Sequence, residues 1–191
     1  MLGQVLDQLR TYNSASVTYP HPTRPNAPLL WDRIISNPSW SIRNDVSQVT
    51  GSYARRDFAF VANPRAHDPA DGFASKEAVR VLLFFSLTVY DKVRSFAWVE
   101  EMEKTHPTRH PRLKMWKVRW KMQSVDGVRR RKCSMIPIEK LQGALHLLTD
   151  KKGCDIPPGV TKYNCFDSPG MDQWWVNYWV GQGEAAYDTV F

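Results

Sequence analysis

EAVRVLLFFSLTVYDKVRSFAWVEEMEK, residues 77–104, decides how the rest of the chain is read. Its first half runs through β-branched, aromatic and leucine residues with almost no polar alternation, the pattern of a central strand covered on both faces. Its second half places Val93, Phe96, Val99 and Met102 on one helical stripe behind Asp91, a residue suited to cap a helix. The expectation is a buried strand followed by an amphipathic helix, and from it an α+β fold.

Downstream, KMWKVRWKMQSVDGVRRRKCSMI, Lys114 to Ile136, alternates with a period of two up to an Asp-Gly pair. That period fits a half-buried strand. Asp126-Gly127 is the preferred two-residue type I′ hairpin turn, since both central residues take positive φ. The turn sets Val125 opposite Val128, and from there Lys121 opposite Lys132, Trp120 opposite Cys133, Arg119 opposite Ser134 and Val118 opposite Met135. One face then gathers Trp116, Val118, Trp120, Met122, Cys133 and Met135 as core. The other gathers Lys117, Arg119, Lys121, Arg130 and Lys132, with Arg129 and Arg131 at its rim.

Like charges directly opposite one another, as in Lys121 and Lys132, destabilise an isolated sheet by a few tenths of a kcal/mol to ~1 kcal/mol. No acid interleaves on that face of the hairpin, so the charge is expected to serve an anionic partner: nucleic-acid phosphates, RNA ahead of DNA, or anionic lipid headgroups. The plain alternative is a solvated basic face on an edge strand.

Further along, Pro137 suits the first turn of a helix over PIEKLQGALHLLTDKKG, with Ile138, Leu141, Leu145 and Leu148 on one side and Gly153 as its stop. The ending MDQWWVNYWVGQGEAAYDTVF reads as helix through Trp174 with Tyr178 and Trp175 with Trp179, or as strand through Val176, Tyr178 and Val180. Trp174, Trp175, Tyr178 and Trp179 are candidates for stacking bases or forming an interface, against closure of the core. Upstream, DFAFVAN suggests a short strand and Leu30 to Ile35 a brief helix. Leu2, Val5, Leu6 and Leu9 suggest a first helix. The prolines at 20, 22, 25 and 28 make residues 19–28 an extended segment. The whole is expected to be a single domain, residues 1–191, with a mainly antiparallel sheet and about three packed helices.

The 191 residues carry 26 Lys and Arg against 19 Asp and Glu, a net charge of +7, which suits one basic globular domain rather than a disordered tail. The first residues lack the apolar core of a signal peptide, and VRVLLFFSLTVY is shorter than the ~20 residues that cross a bilayer. Cys133, Cys154 and Cys165 are odd in number without tight spacing, which fits a reducing compartment, cytoplasm or nucleus. No Walker loop, dinucleotide fingerprint, nucleophile elbow or Cys-x-x-Cys occurs, so no catalytic residue, metal or cofactor is expected. His106 and His110 have the spacing of a zinc-binding helix, but the prolines of HPTRHP forbid that helix. His146 reads as a partly buried histidine on the Leu-rich helix. The best enzymatic alternative is a metal-dependent nuclease using Asp91, Glu101, Glu103 and Lys104; EEMEK otherwise reads as a solvated helix face.

Two short peptides suggest host protein partners: PNAP (Pro25, Asn26, Ala27, Pro28), similar to viral budding tetrapeptides, and the terminal TVF, similar to PDZ ligands. A protein–protein adaptor acting through the proline loop and the terminal aromatics is the third reading. In order, the proline-rich segment, the strand LLFFSLTV, the helix VRSFAWVEEMEK and the basic strand RLKMWKVRWKM resemble rhabdovirus matrix proteins over residues 20–125. The resemblance implies a basic structural protein that self-associates, condenses a nucleocapsid and lies beneath a membrane or within a virion. The family's Pro-Pro-x-Tyr motif and Lys-rich arm are absent, so membrane attraction would have to come from the hairpin.

Overall fold

The computed structural model describes residues 9–19, 26, 28–37, 41–43, 49–51, 54–63, 72–89, 92–151, 156–158, 160 and 164–177. Over them run fifteen strands: β1 (Arg10–Tyr12), β2 (Ser14–Tyr19), β3 (Leu30–Asn37), β4 (Ser41–Arg43), β5 (Val49–Gly51), β6 (Arg55–Arg56), β7 (Phe58–Ala62), β8 (Lys76–Val89), β9 (Lys92–Lys104), β10 (Lys117–Trp120), β11 (Met122–Val125), β12 (Val128–Arg131), β13 (Cys133–Pro137), β14 (Leu141–Thr149) and β15 (Gln173–Asn177). Two short 3-10 turns, Gly72–Ser75 and Ile138–Lys140, complete the regular elements.

Six strands close on themselves. β7 pairs with β8, β8 with β9, β9 with β10, β10 with β15, β15 with β14, and β14 returns to β7, every pair antiparallel. Closure removes the unpaired edges an open sheet would leave. The lumen is filled by one face of all six strands, including Phe58, Ala78, Met102, Val118, Trp120, Leu145, Trp174 and Val176. The β2–β3 ribbon covers the outside: Val17 and Ile34 pack on Ala59, Val61, Val79, Val81, Ala97, Val99 and Leu141.

Among the described residues there is no α-helix, so the expected α+β class is corrected to an all-antiparallel β fold. Residues 92–104 form β9, because ten residue pairs with β8 hold it, from Val79↔Glu101 to Val89↔Lys92. The supposed helical stripe is not a buried stripe: Val93 is 72% exposed, while the buried set Ala97, Val99 and Met102 belongs to the two faces of a strand. The helix in the resemblance to matrix proteins is this same segment. Leu30 to Ile35 is likewise strand, lying within β3 and paired residue for residue with β2. The supposed first helix falls mainly on residues 1–8, outside the described residues, as does Asp91.

β14 shows why helical spacing misled. Its register on β7 slips between Leu141↔Val61 and Gly143↔Phe60, so Leu141 faces the outer ribbon and Leu145 the lumen. One extra residue in a strand turns a period of two into a mixed spacing that imitates a helix. Ile138–Lys140 is only a single 3-10 turn, and His146, expected on a helix, is exposed on the strand.

Gly143 makes the bulge possible. Its φ is +138°, and a Cβ there would lie 3.3 Å from Asp32 Oδ2, the oxygen that accepts the Ala144 N–H at 3.0 Å. Gly143→Ala should therefore lose about 1–3 kcal/mol of stability. Urea unfolding checks this, and a loss below a few tenths would mean that the bulge tolerates a side chain.

Candidate nucleic-acid interface

The Asp126-Gly127 turn forms as expected, with φ values of 52° and 76°. β11 and β12 pair from Val125↔Val128 to Met122↔Arg131, and the Lys132 N–H donates to the Lys121 carbonyl at 2.7 Å. There the hairpin divides. The Lys121 N–H donates to Glu101 O, and the Glu101 N–H to Lys132 O. Beyond that point β10 and β13 each pair with β9 instead of with one another, giving Trp120↔Met102 and Cys133↔Glu100. The expected pairs Trp120 with Cys133, Arg119 with Ser134 and Val118 with Met135 are thus replaced. The barrel drives this, because inserting β9 buries Trp116, Val118 and Trp120, while Met122 and Met135 stay exposed.

Lys117, Arg119 and Lys121 alternate with the buried Val118 and Trp120 and so fall on the outer face, where acids from outside the hairpin meet them and Lys132. Lys121 and Lys132 both contact Glu101 Oε2, at 2.8 and 3.1 Å; Arg119 pairs with Glu103 at 2.7 Å and Lys117 with Asp150 at 2.6 Å. The Lys121–Lys132 repulsion is answered by Glu101, whose carboxyl burial pushes up and these ammoniums pull down further. Arg131 turns inward: it pairs with Asp167 at 2.6 Å and stacks 4.3 Å from the Trp120 ring. Arg129 and Arg130, at the exposed hairpin tip, have no acid partner among the described residues.

A second group of cations without an acid partner among the described residues lies in the loop 105–116, which sequence reasoning left as plain surface. It folds on itself: His110 N–H donates to Met115 O, Lys114 N–H to His110 O, and Leu113 N–H to His110 Nδ1. The His110 ring meets Trp175 edge-on with centroids 5.3 Å apart, and Lys117 Nζ lies 5.1 Å from the Trp175 centroid. His106, Arg109, His110, Lys117 and Trp175 line a cleft of about 430 Å³. Arg112 and Lys114 are exposed beside it.

Two adjacent tryptophans part company here. β15 sends Trp174 and Val176 into the lumen and leaves Gln173, Trp175 and Asn177 outside, so Trp174 is core and Trp175 belongs to the cleft. Tyr178, Trp179, the terminal TVF, Pro25 and Ala27 lie outside the described residues; Asn26 and Pro28 are exposed. Of the carboxylates considered for a nuclease, Glu101 and Glu103 are held in ion pairs. Among the described residues no three His, Cys, Asp or Glu gather as a metal would need, and no helix is long and apolar enough to cross a membrane.

Arg80 is the residue that sequence reasoning passed over. It stands alone in the apolar run of β8, and its side chain is 4% exposed. Its Nε donates to Glu100 Oε2 at 2.7 Å and its two terminal nitrogens to Asp167 at 2.9 Å each, while its guanidinium lies 4.8 Å from the Trp120 ring. Burial pushes the Asp167 carboxyl up, but Arg80 and Arg131 outweigh it and hold the pKa at about 2. A lone arginine in a buried strand is the available signal, since a charge is buried only with partners.

The fold and its outer face define a class: a closed, six-stranded antiparallel barrel with an aromatic and basic cleft on one side. No family model matches the chain, and neither a curated protein nor a solved structure does.

Proposed function

We propose that this protein is a non-enzymatic, basic structural or regulatory protein that binds single-stranded nucleic acid, RNA ahead of DNA, along the outer face of β10. The observation that carries this reading is the cleft, where Trp175, Lys117 and His110 meet beside Arg109. A π-face for a base and cations for its phosphates are the two elements a single-strand site combines. Because Glu101, Glu103 and Asp150 neutralise the middle of the plate, the attraction concentrates at its two ends, Arg109, Arg112 and Lys114 in the loop and Arg129 and Arg130 at the hairpin tip. Trp175 lines the cleft rather than projecting from it, which suits an entering base better than a bilayer surface. The role assigned is of matrix or nucleocapsid type, inside the cell or in a virion.

Fluorescence anisotropy of a labelled single-stranded RNA across a salt series tests this. Log affinity should fall linearly with log salt, losing about 0.7 in slope for each phosphate contact. Arg109→Glu with Lys114→Glu, and separately Arg129→Glu with Arg130→Glu, each remove two contacts and should each flatten the slope by about 1.4. No binding at low salt overturns the reading, and binding to phosphatidylserine vesicles alone would transfer the surface to a membrane.

A further inference from the structure

One continuous length of chain joins the cleft to the hairpin tip. β10 and β11 follow one another with only Lys121 between them, and on the returning strand Arg129 and Arg130 stand opposite Ser124 and Gln123. From Lys117, in the cleft, to Ser124 is seven residue steps. An extended chain rises ~3.3 Å per residue, and less where it twists, so the cleft and the tip stand about 20–23 Å apart along the strand.

Between those two points the charge is nearly cancelled. Lys117 holds Asp150 at 2.6 Å, Arg119 holds Glu103 at 2.7 Å, and Lys121 and Lys132 share Glu101 at 2.8 and 3.1 Å. Four cations thus meet three acids, which leaves one positive charge over the whole stretch. A phosphate laid there meets each cation together with a carboxylate a hydrogen bond away, so attraction and repulsion largely offset. The ends differ. Arg109, Arg112 and Lys114 on the loop and Arg129 and Arg130 at the tip are exposed, and none of their side chains has an acid partner among the described residues. Trp175, the ring that a base can reach, also lies at the loop end.

We propose, resting on the nucleic-acid reading, that the protein holds a single strand at two separate points, the cleft with its loop and the hairpin tip, and passes over the nucleotides between them. Stacked nucleotides advance ~3.4 Å each, so the gap takes about six or seven, and a strand of about eight is long enough to engage both points. A strand of three reaches only one. Once one point is held, the second contact forms within the complex, and joining the two raises affinity by about 10²-fold or more. The ligand class is therefore a single-stranded segment of about eight nucleotides or longer.

The test is anisotropy at low salt with end-labelled oligouridines of three, five, eight, ten and fifteen nucleotides. Affinity should climb about 10²-fold from three to eight and then change by less than about threefold from ten to fifteen. A further probe is the eight-nucleotide strand with its central four nucleotides replaced by an uncharged ethylene-glycol spacer of equal reach, which should bind within about threefold of the unbroken strand. Arg129→Glu with Arg130→Glu should bring the eight-nucleotide strand down to the affinity of the three-nucleotide one. An even climb through fifteen nucleotides, a loss of tenfold or more with the spacer, or a length step that survives the double substitution overturns the inference while the nucleic-acid reading stands. Failure of every RNA to bind, the longest included, sinks both.

Discussion

Replacing Arg80 by leucine should lower stability by about 3–5 kcal/mol, the loss that follows when one partner of a buried ion pair is removed. The side chain ties three parts of the molecule: its own strand β8, Glu100 on β9, and Asp167 in the loop before β15. Leucine restores apolar volume but leaves Glu100, only 12% exposed, with Arg131 3.6 Å away as its remaining cation among the described residues. Arg80→Lys keeps the charge yet loses the two-pronged hold on Asp167 and the broad contact with Trp120, so it should fall between the two. Arg119→Leu makes the control, because its pair with Glu103 is exposed and contributes under about 1 kcal/mol. Acid supplies a second signature. Asp167 titrates at about 2 in the fold, below the ~3.9 of an unfolded aspartate. Its stabilising share is therefore complete above about pH 4 and is lost as pH falls toward 2. Urea unfolding at pH 7 and pH 2.5 should show the gap between the native protein and Arg80→Leu narrowing at the lower pH. A gap that stays constant would mean that packing, and not the ion network, explains the loss.

That network lies where local reading was weakest. β7, β8, the Asp-Gly turn and the hairpin as far as Lys121 and Lys132 follow from residue order, because each depends on neighbours in sequence. The supposed helix of residues 92–104, and the one starting at Pro137 over its described part, failed because bulges and long-range pairing decide those segments. β8 slips register between Val81 and Leu83 and β14 between Leu141 and Gly143, and each slip moves apolar residues from one face to the other. Reading β9 as helix also hid the acids: as a strand it brings Glu101 and Glu103 beside Lys121 and Arg119. The cleft needed the barrel as well, since His110 and Trp175 are distant in sequence and meet only because β15 lies beside β10. The cations of the plate were legible; their partners were not.

The neighbouring tryptophans of β15 give the sharpest separation of fold from function. Trp174→Ala should lose about 3–5 kcal/mol, since Trp174 is 1% exposed and packs against Trp120 and Phe166 with ring centroids 5.5 Å away from each. Trp174→Phe should be milder, because the indole N–H donates to no atom of the described residues and phenylalanine keeps much of the ring contact. Trp175→Ala should behave in the opposite way. Its ring is half-buried on the outer face, so stability should fall by about 1 kcal/mol or less, while RNA affinity should drop by about 1–3 kcal/mol, the contribution of one stacked base. Thermal unfolding and anisotropy on the same three variants read both quantities. If Trp175→Ala binds RNA as the native protein does, the cleft is not where a base sits, and any affinity comes from the two cationic ends alone. If it binds tenfold or more weakly while melting normally, the aromatic and basic elements of the cleft act as one site.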